Sequence, residues 1–186
     1  MPPDDSVITG PITVEDEVEI RRPVGEVFDF LGDQEHRPAW NAGVKRVRRT
    51  SPGPIGVGTT YRIVGMMLGR RVVSTYELTA YQPDTLFSGR MRSPVFSVDE
   101  TYRFEAAGED GTCVRVEIAA RPERWLRPLG PLLAVAMSRQ VKADHRRLGT
   151  VLQRSRRARA RAARAQQHEG AEAHHEGDGG EGDPRQ

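Results

Sequence analysis

Between Leu126 and Leu152 apolar residues recur at helical spacing for longer than anywhere else in the chain. Leu126, Leu129, Leu133, Met137, Val141, Leu148 and Leu152 fall at steps of three, four or seven, which places them on one face of an α-helix. Upstream the period changes to two. Residues 12–21 alternate Ile12, Val14, Val18 and Ile20 against Glu15, Glu17 and Glu19, as in a strand with one wet face, and Asp16 interrupts the apolar side near its middle. Pro23 then sits where a helix can begin, and Val24, Val27, Phe28 and Leu31 form a short apolar face that ends at Gly32.

Residues 33–43, broken by Pro38, predict no more than a second helical turn around Trp40. Strands are predicted over 43–51, 57–67, 71–81, 86–92, 95–107 and 112–122, with turn residues dense between them and a tight hairpin at Leu68, Gly69 and Arg70. The order is a strand, short helices, about six antiparallel strands and one long helix entered near Leu126–Pro131. An antiparallel sheet with one apolar face needs a cover, and the helix of 126–152 is the one available. The fold class that follows is α+β, with functional space between sheet and helix.

Composition narrows the class further. The chain has 186 residues, of which 37% are hydrophobic, and its last thirty or so are polar, so one domain over 12–153 is expected between an N-terminal extension, 1–11, and a tail, 154–186. The single cysteine, Cys113, excludes an internal disulfide, and nothing around it suggests a reactive thiol. The start MPPDDSVITGP has no leader pattern, and the longest apolar run, PLLAVAM, is far below the ~20 residues needed to cross a bilayer, so a soluble cytoplasmic setting is the expectation. Net charge is +2, which calls for no nucleic acid, although arginine outnumbers lysine 26 to 2. The tail runs from a basic block, with Arg154, Arg156, Arg157, Arg159, Arg161 and Arg164, into an acidic one. It has no apolar face, and it reads as a frayed helix end followed by a disordered polyampholyte, or as a weak contact for an anionic membrane or nucleic acid. His168, His174 and His175 in that tail lack the cysteines and scaffold of a metal site, and no metal or cofactor is expected.

The stretches RRPVGEVFDFLGDQEHRPAW, PGPIGVGTTYR, TYELTAYQPDTLFSG and the YRFE…GTCVRVE hairpin, followed by the terminal helix, resemble the START-like helix-grip superfamily. More narrowly they are similar to SRPBCC proteins of the polyketide cyclase/dehydrase and lipid-transport type, over residues 12–153. The resemblance implies a curved seven-stranded antiparallel sheet gripping the long C-terminal helix around a deep apolar pocket. It does not imply one activity, since such folds serve both carriers and cyclases.

No nucleophile elbow, HExxH, CxxC or phosphate-binding glycine loop is present. What remains is a set of groups on predicted inner faces. Glu100 shares a face with Phe96, Val98, Tyr102 and Phe104, a setting suited to a general acid or base. A bulge at Asp99–Glu100 would instead turn it to solvent. His145, beside the helix stripe, either points a titratable ring into the cavity or is a boundary histidine paired with Asp144 or a backbone group near the helix end. Tyr61, Tyr76 and Tyr102 offer phenol donors or rim filling, and Met66, Met67 and Met91 offer adaptable lining or ordinary core. Arg90 and Arg92 could meet an anionic head group or stay solvated. The expected ligand lining is Trp40, Tyr61, Ile63, Tyr76, Phe96, Val98, Glu100, Tyr102, Val116, Met137, Val141 and His145. The leading expectation is binding, with transport as one use of it, of a small hydrophobic molecule such as a lipid or polyketide. The alternatives are a cyclase or dehydratase using Glu100 or His145, and a binder tethered through the arginine-rich tail.

Overall fold

The computed structural model describes residues 10–67, 69–108 and 110–175, with side chains as far as Arg154. Leu68 of the expected hairpin, most of the N-terminal extension and the acidic end of the tail lie outside the described residues. Seven strands, β1 (Ile12–Ile20), β2 (Val44–Arg49), β3 (Thr60–Met67), β4 (Arg70–Gln82), β5 (Leu86–Arg92), β6 (Phe96–Ala106) and β7 (Thr112–Pro122), form one antiparallel sheet. Their order is β1-β7-β6-β5-β4-β3-β2, so every neighbouring pair except β1 and β7 is consecutive in sequence. Gly69, at φ +74°, closes the β3–β4 connection in the left-handed backbone region that glycine enters without a Cβ clash.

Because β1 and β2 occupy opposite edges, the chain between them must cross the whole sheet. It does so through α1 (Val24–Gly32), a 3-10 turn at Gln34–His36, and the single turn α2 (Arg37–Trp40). Phe28 of α1 packs edge-on against Phe87 and Phe104 of the sheet, which turns the apolar face of α1 inward. The long helix α3 runs Gly130–His175 after a 3-10 segment, Arg124–Leu129. The curved sheet and long C-terminal helix make a helix-grip fold.

The entry to the helix differs from the simple stripe. Pro128 and Pro131 both lack the N–H that a continuous α-helix would use, and the first turns are wound at three residues per turn. Leu126, inside this segment, is buried, whereas Leu129, at its junction with α3, faces outward, 46% exposed. The compact unit containing the sheet ends at Leu152, where the apolar stripe also stops, and Gln153–Gln186 form a separate unit. At that point the buried Arg22 donates to the Leu152 carbonyl at 2.6 Å, while Thr112 Oγ1 donates to the Arg22 carbonyl at 2.7 Å.

Outward positions carry a cross-strand ion lattice. Arg115 reaches Glu17 and Glu105, and Asp99 accepts from both Arg90 and Arg121. Arg90 is thereby paired with Asp99 through Nε while its side chain stays exposed. Exposed pairs of this kind contribute little stability each.

Candidate functional site

Two apolar clusters fill the inner face of the sheet. The larger holds Trp40, Tyr61, Ile63, Tyr76, Tyr102, Val116, Leu148 and Leu152, with α1 packed over it. The smaller contains Phe96, Val98 and Leu126, with Met67, Met91, Ile118, Leu133 and Met137 only partly buried against it. The twelve residues expected to line one pocket therefore divide. Trp40, Tyr61, Ile63, Tyr76, Tyr102 and Val116 lie in the closely packed cluster, whereas Phe96, Val98 and Met137 belong to the looser one. Val141, between them on α3, is half-buried.

Glu100 lies where the clusters meet, between Val98 and Tyr102 on the inner face of β6. The register of β6 runs without a break past both neighbours, pairing Glu100 with Gly89 on β5 and Ile118 on β7. No bulge interrupts it at Asp99–Glu100, so the expected route to solvent is absent and the carboxylate is buried, 4% exposed. Its partner is Arg37. Nη1 donates to Oε1 at 2.8 Å and Nη2 to Oε2 at 2.5 Å, a bidentate fork-to-fork pair.

The short elements before β2 set this geometry. Asp33 Oδ1 accepts from the Glu35 N–H at 3.0 Å and starts the 3-10 turn. One helical turn then places Arg37 and Trp40, three residues apart, on the same inward side. Arg37 Nη1 also donates to Gln34 Oε1 at 2.8 Å, and Gln34 Nε2 donates to the Leu31 carbonyl at 3.0 Å. The guanidinium carbon lies 5.6 Å from the ring centroids of both Trp40 and Tyr76. Burial by itself would lower the guanidinium pKa, but the adjoining Glu100 carboxylate more than offsets this and holds it above its ordinary value.

Tyr76 reaches this pair because β5 carries no side chain at Gly89. A Cβ there would stand 1.9 Å from the Tyr76 hydroxyl oxygen. Burial, then the Glu100 charge, pushes the Tyr76 phenol well above its usual value. The hydroxyl makes no hydrogen bond of ordinary geometry, and neither does Arg37 Nε. Two buried donors thus stand beside Glu100 without a well-formed bond: Arg37 Nε has no partner, and the Tyr76 hydroxyl lies close to the carboxylate but out of line with it, an arrangement that leaves room for a better acceptor. Glu100 has each oxygen hydrogen-bonded to Arg37, so the carboxylate the sequence placed on this face is a paired one.

His145 points inward from α3 and is buried, 3% exposed. Its partner is not Asp144. His145 Nδ1 lies 2.7 Å from Asp16 Oδ2, the carboxylate that breaks the apolar face of β1. Asp144 instead accepts from the Ala42 N–H at 3.1 Å and from Gln140 Nε2 at 2.9 Å, tying the helix to the segment after α2. The imidazole stands 6.3 Å from the Trp40 ring and 6.4 Å from the Tyr102 ring. The middle of α3 is thus fastened by Asp144, His145, Leu148 and Leu152, while its opening turns contribute half-buried Leu133, Ala134, Met137 and Val141.

Sequence reasoning missed Arg37, Gln34 and Gly89. A buried Glu100 demands a cation, which is the signal for Arg37, but one arginine among 26 gives no further mark of its own. Asp16 was visible as a break in a strand, though its partner on a helix 129 residues away was not. Cys113 is half-buried, and burial raises its thiol pKa, consistent with an unreactive side chain. Among the described residues no group of three or more His, Cys, Asp or Glu could hold a metal ion, and no helix is long and apolar enough to cross a membrane. Arg154 is exposed; Arg156, Arg157, Arg159, Arg161, Arg164 and the tail histidines lie beyond the described side chains.

Comparison with known proteins agrees with this architecture. An uncharacterized protein of Mycobacterium tuberculosis is 30% identical over 141 residues, spanning 72% of this chain and 83% of that protein. A crystal structure of a Thermus thermophilus protein superposes with a TM-score of 0.66 at 18% identity, covering 77% of this chain and 98% of that one. The Zhui aromatase/cyclase of Streptomyces sp. R1128 gives a TM-score of 0.64 at 18% identity, covering 81% and 96% respectively. At such identities the structural matches speak for the helix-grip fold alone. The profile of one family, described as polyketide cyclase / dehydrase and lipid transport, matches residues 11–153, nearly the whole of the sheet-bearing unit, and to that family the chain belongs.

Proposed function

We propose that the domain encloses a small hydrophobic molecule, such as a lipid or polyketide, between the sheet and the opening turns of α3. An oxygen-bearing end of that molecule would turn toward Tyr76 and Arg37. The observation that carries this reading is the uneven burial along one helix. Leu148 and Leu152 are sealed, whereas Leu133, Met137 and Val141 on the same stripe are only half-buried, the first two against the cluster of Phe96 and Val98. A packed core would bury all five alike; apolar lining with a few polar groups at one end is the pattern of a ligand site. Arg37 Nε supplies an unmatched donor and the Tyr76 hydroxyl a poorly matched one. Native mass spectrometry of the purified chain, with extraction of whatever accompanies it, tests the reading. A bound apolar molecule that is lost in Met137→Trp supports it, and one retained unchanged in that variant contradicts it.

A second reading is favoured by the pairing of Asp16 with His145. A buried imidazole held through Nδ1 by a carboxylate leaves Nε2 to take or give a proton, so the site could act as a cyclase or dehydratase on a polyketide-type substrate. Removal of a general base typically lowers turnover by about 10²–10⁴-fold. Equal turnover of a β-ketoester substrate in His145→Gln and in the unmodified chain removes this reading while leaving the first intact.

A further inference from the structure

Just before and after the helix entry, four large apolar side chains face solvent. Trp125 is 64% exposed, Leu129 46%, Leu132 68% and Val135 51%. Leu132 and Val135 are three apart and share a face of α3, next to the buried stripe and distinct from it. Apolar residues scattered singly on a surface need no explanation, but four large ones close together in the chain, an exposed tryptophan among them, do. From residue 123 to residue 139 the charged side chains are Glu123, Arg124, Arg127 and Arg139, three cations to one carboxylate. Arg70, opposite Met67 at the β3–β4 end, adds a further exposed cation beside the looser apolar cluster.

We propose that this surface docks on an anionic lipid bilayer. Trp125, Leu129, Leu132 and Val135 enter the boundary between head groups and acyl chains, and Arg124, Arg127 and Arg139 meet lipid phosphates. The charge pattern selects this occupant. A second copy of the chain placed on the patch by a two-fold axis would set three arginines against three, with only Glu123 of each copy to offset them. An anionic membrane satisfies both the apolar centre and the basic rim, which is the composition of an interfacial helix that lies on a membrane without crossing it. Docking of this kind does not depend on the cavity being occupied.

The two tryptophans make the test local. Trp40 is buried and Trp125 exposed, so an emission change on adding vesicles reports Trp125. Vesicles containing phosphatidylglycerol are expected to shift the emission of the full chain to the blue, and brominated acyl chains to quench it. Phosphatidylcholine vesicles alone should bind roughly tenfold or more weakly. Leu132→Ser with Val135→Ser should lower the affinity by about tenfold or more with unchanged circular dichroism, and Trp125→Phe should remove the signal. Vesicle binding that survives the double variant undiminished would overturn the proposal, since the contact would then run through another part of the chain, the arginine-rich tail included. An absence of any shift with phosphatidylglycerol would overturn it too. So would a concentration-dependent dimer that the double variant abolishes.

Discussion

Arg37 and Glu100, 63 residues apart in the chain, meet inside the sheet through two parallel hydrogen bonds of 2.8 and 2.5 Å. Neither reaches solvent to any extent, with side-chain exposures of 8% and 4%. Removal of one partner leaves the other charge buried and uncompensated. Arg37→Leu is expected to destabilise the fold by about 3–5 kcal/mol. The double replacement Arg37→Leu with Glu100→Leu should recover most of that loss, because the desolvation cost of both ions disappears together. Urea denaturation of the unmodified chain and the two variants measures both quantities. A double variant as unstable as the single one would mean that the pair holds the elements in place by more than charge balance.

Gly89 and Tyr76 are coupled by space. The 1.9 Å gap between a Cβ at Gly89 and the phenol oxygen cannot be absorbed by a small adjustment, since the ring carbon behind it lies only 2.1 Å away. Gly89→Ala should cost about 1–3 kcal/mol or more through overpacking. In a double-mutant cycle with Tyr76→Val, which empties the slot, the penalty should largely vanish. Additive effects would show that Tyr76 can leave the slot freely.

Alkaline pH supplies another test. Burial pushes the Tyr61 phenol up to about 12 from an ordinary 10.0, and burial raises Tyr76 and Tyr102 as well. A folded-state value above the unfolded one means that the unfolded chain releases its proton first. The stability these phenols carry is therefore whole below about pH 10 and is lost as pH rises through about 12. Phenolate absorbance followed beside circular dichroism should show the half-exposed Tyr81 ionising with the fold intact, and the other three only as the fold is lost. Four phenols titrating together near pH 10 with unchanged circular dichroism would contradict the buried placements.

How far the sequence could be read depends on the range of each interaction. Alternation at β6 and β7 and the stripe on α3 are local, so the seven strands and the covering helix were legible as soon as the periods were counted. The inward parity of Glu100 was legible too, but its exposure turned on whether one bulge existed, and only the unbroken pairing to Gly89 and Ile118 decides that. Partners were the hidden part. Asp144 adjoins His145 in sequence, yet helix geometry points them to different neighbours, and Asp16 takes the imidazole from across the domain. The outward placing of Leu129 was hidden for a different reason: Pro128 and Pro131 break the helix at its entry, so a count begun at Leu126 runs across two elements and not along one.

The central claim is that the space beside the opening turns of α3 takes an apolar molecule, and titration with 1-anilinonaphthalene-8-sulfonate, an apolar fluorophore with an anionic end, tests it most directly. The account predicts saturable binding at one site per chain, lost in Met137→Trp and in Val98→Trp while urea denaturation remains cooperative, and weakened in Tyr76→Phe. Binding that never saturates, or that is the same in the two blocking variants as in the unmodified chain, would contradict it.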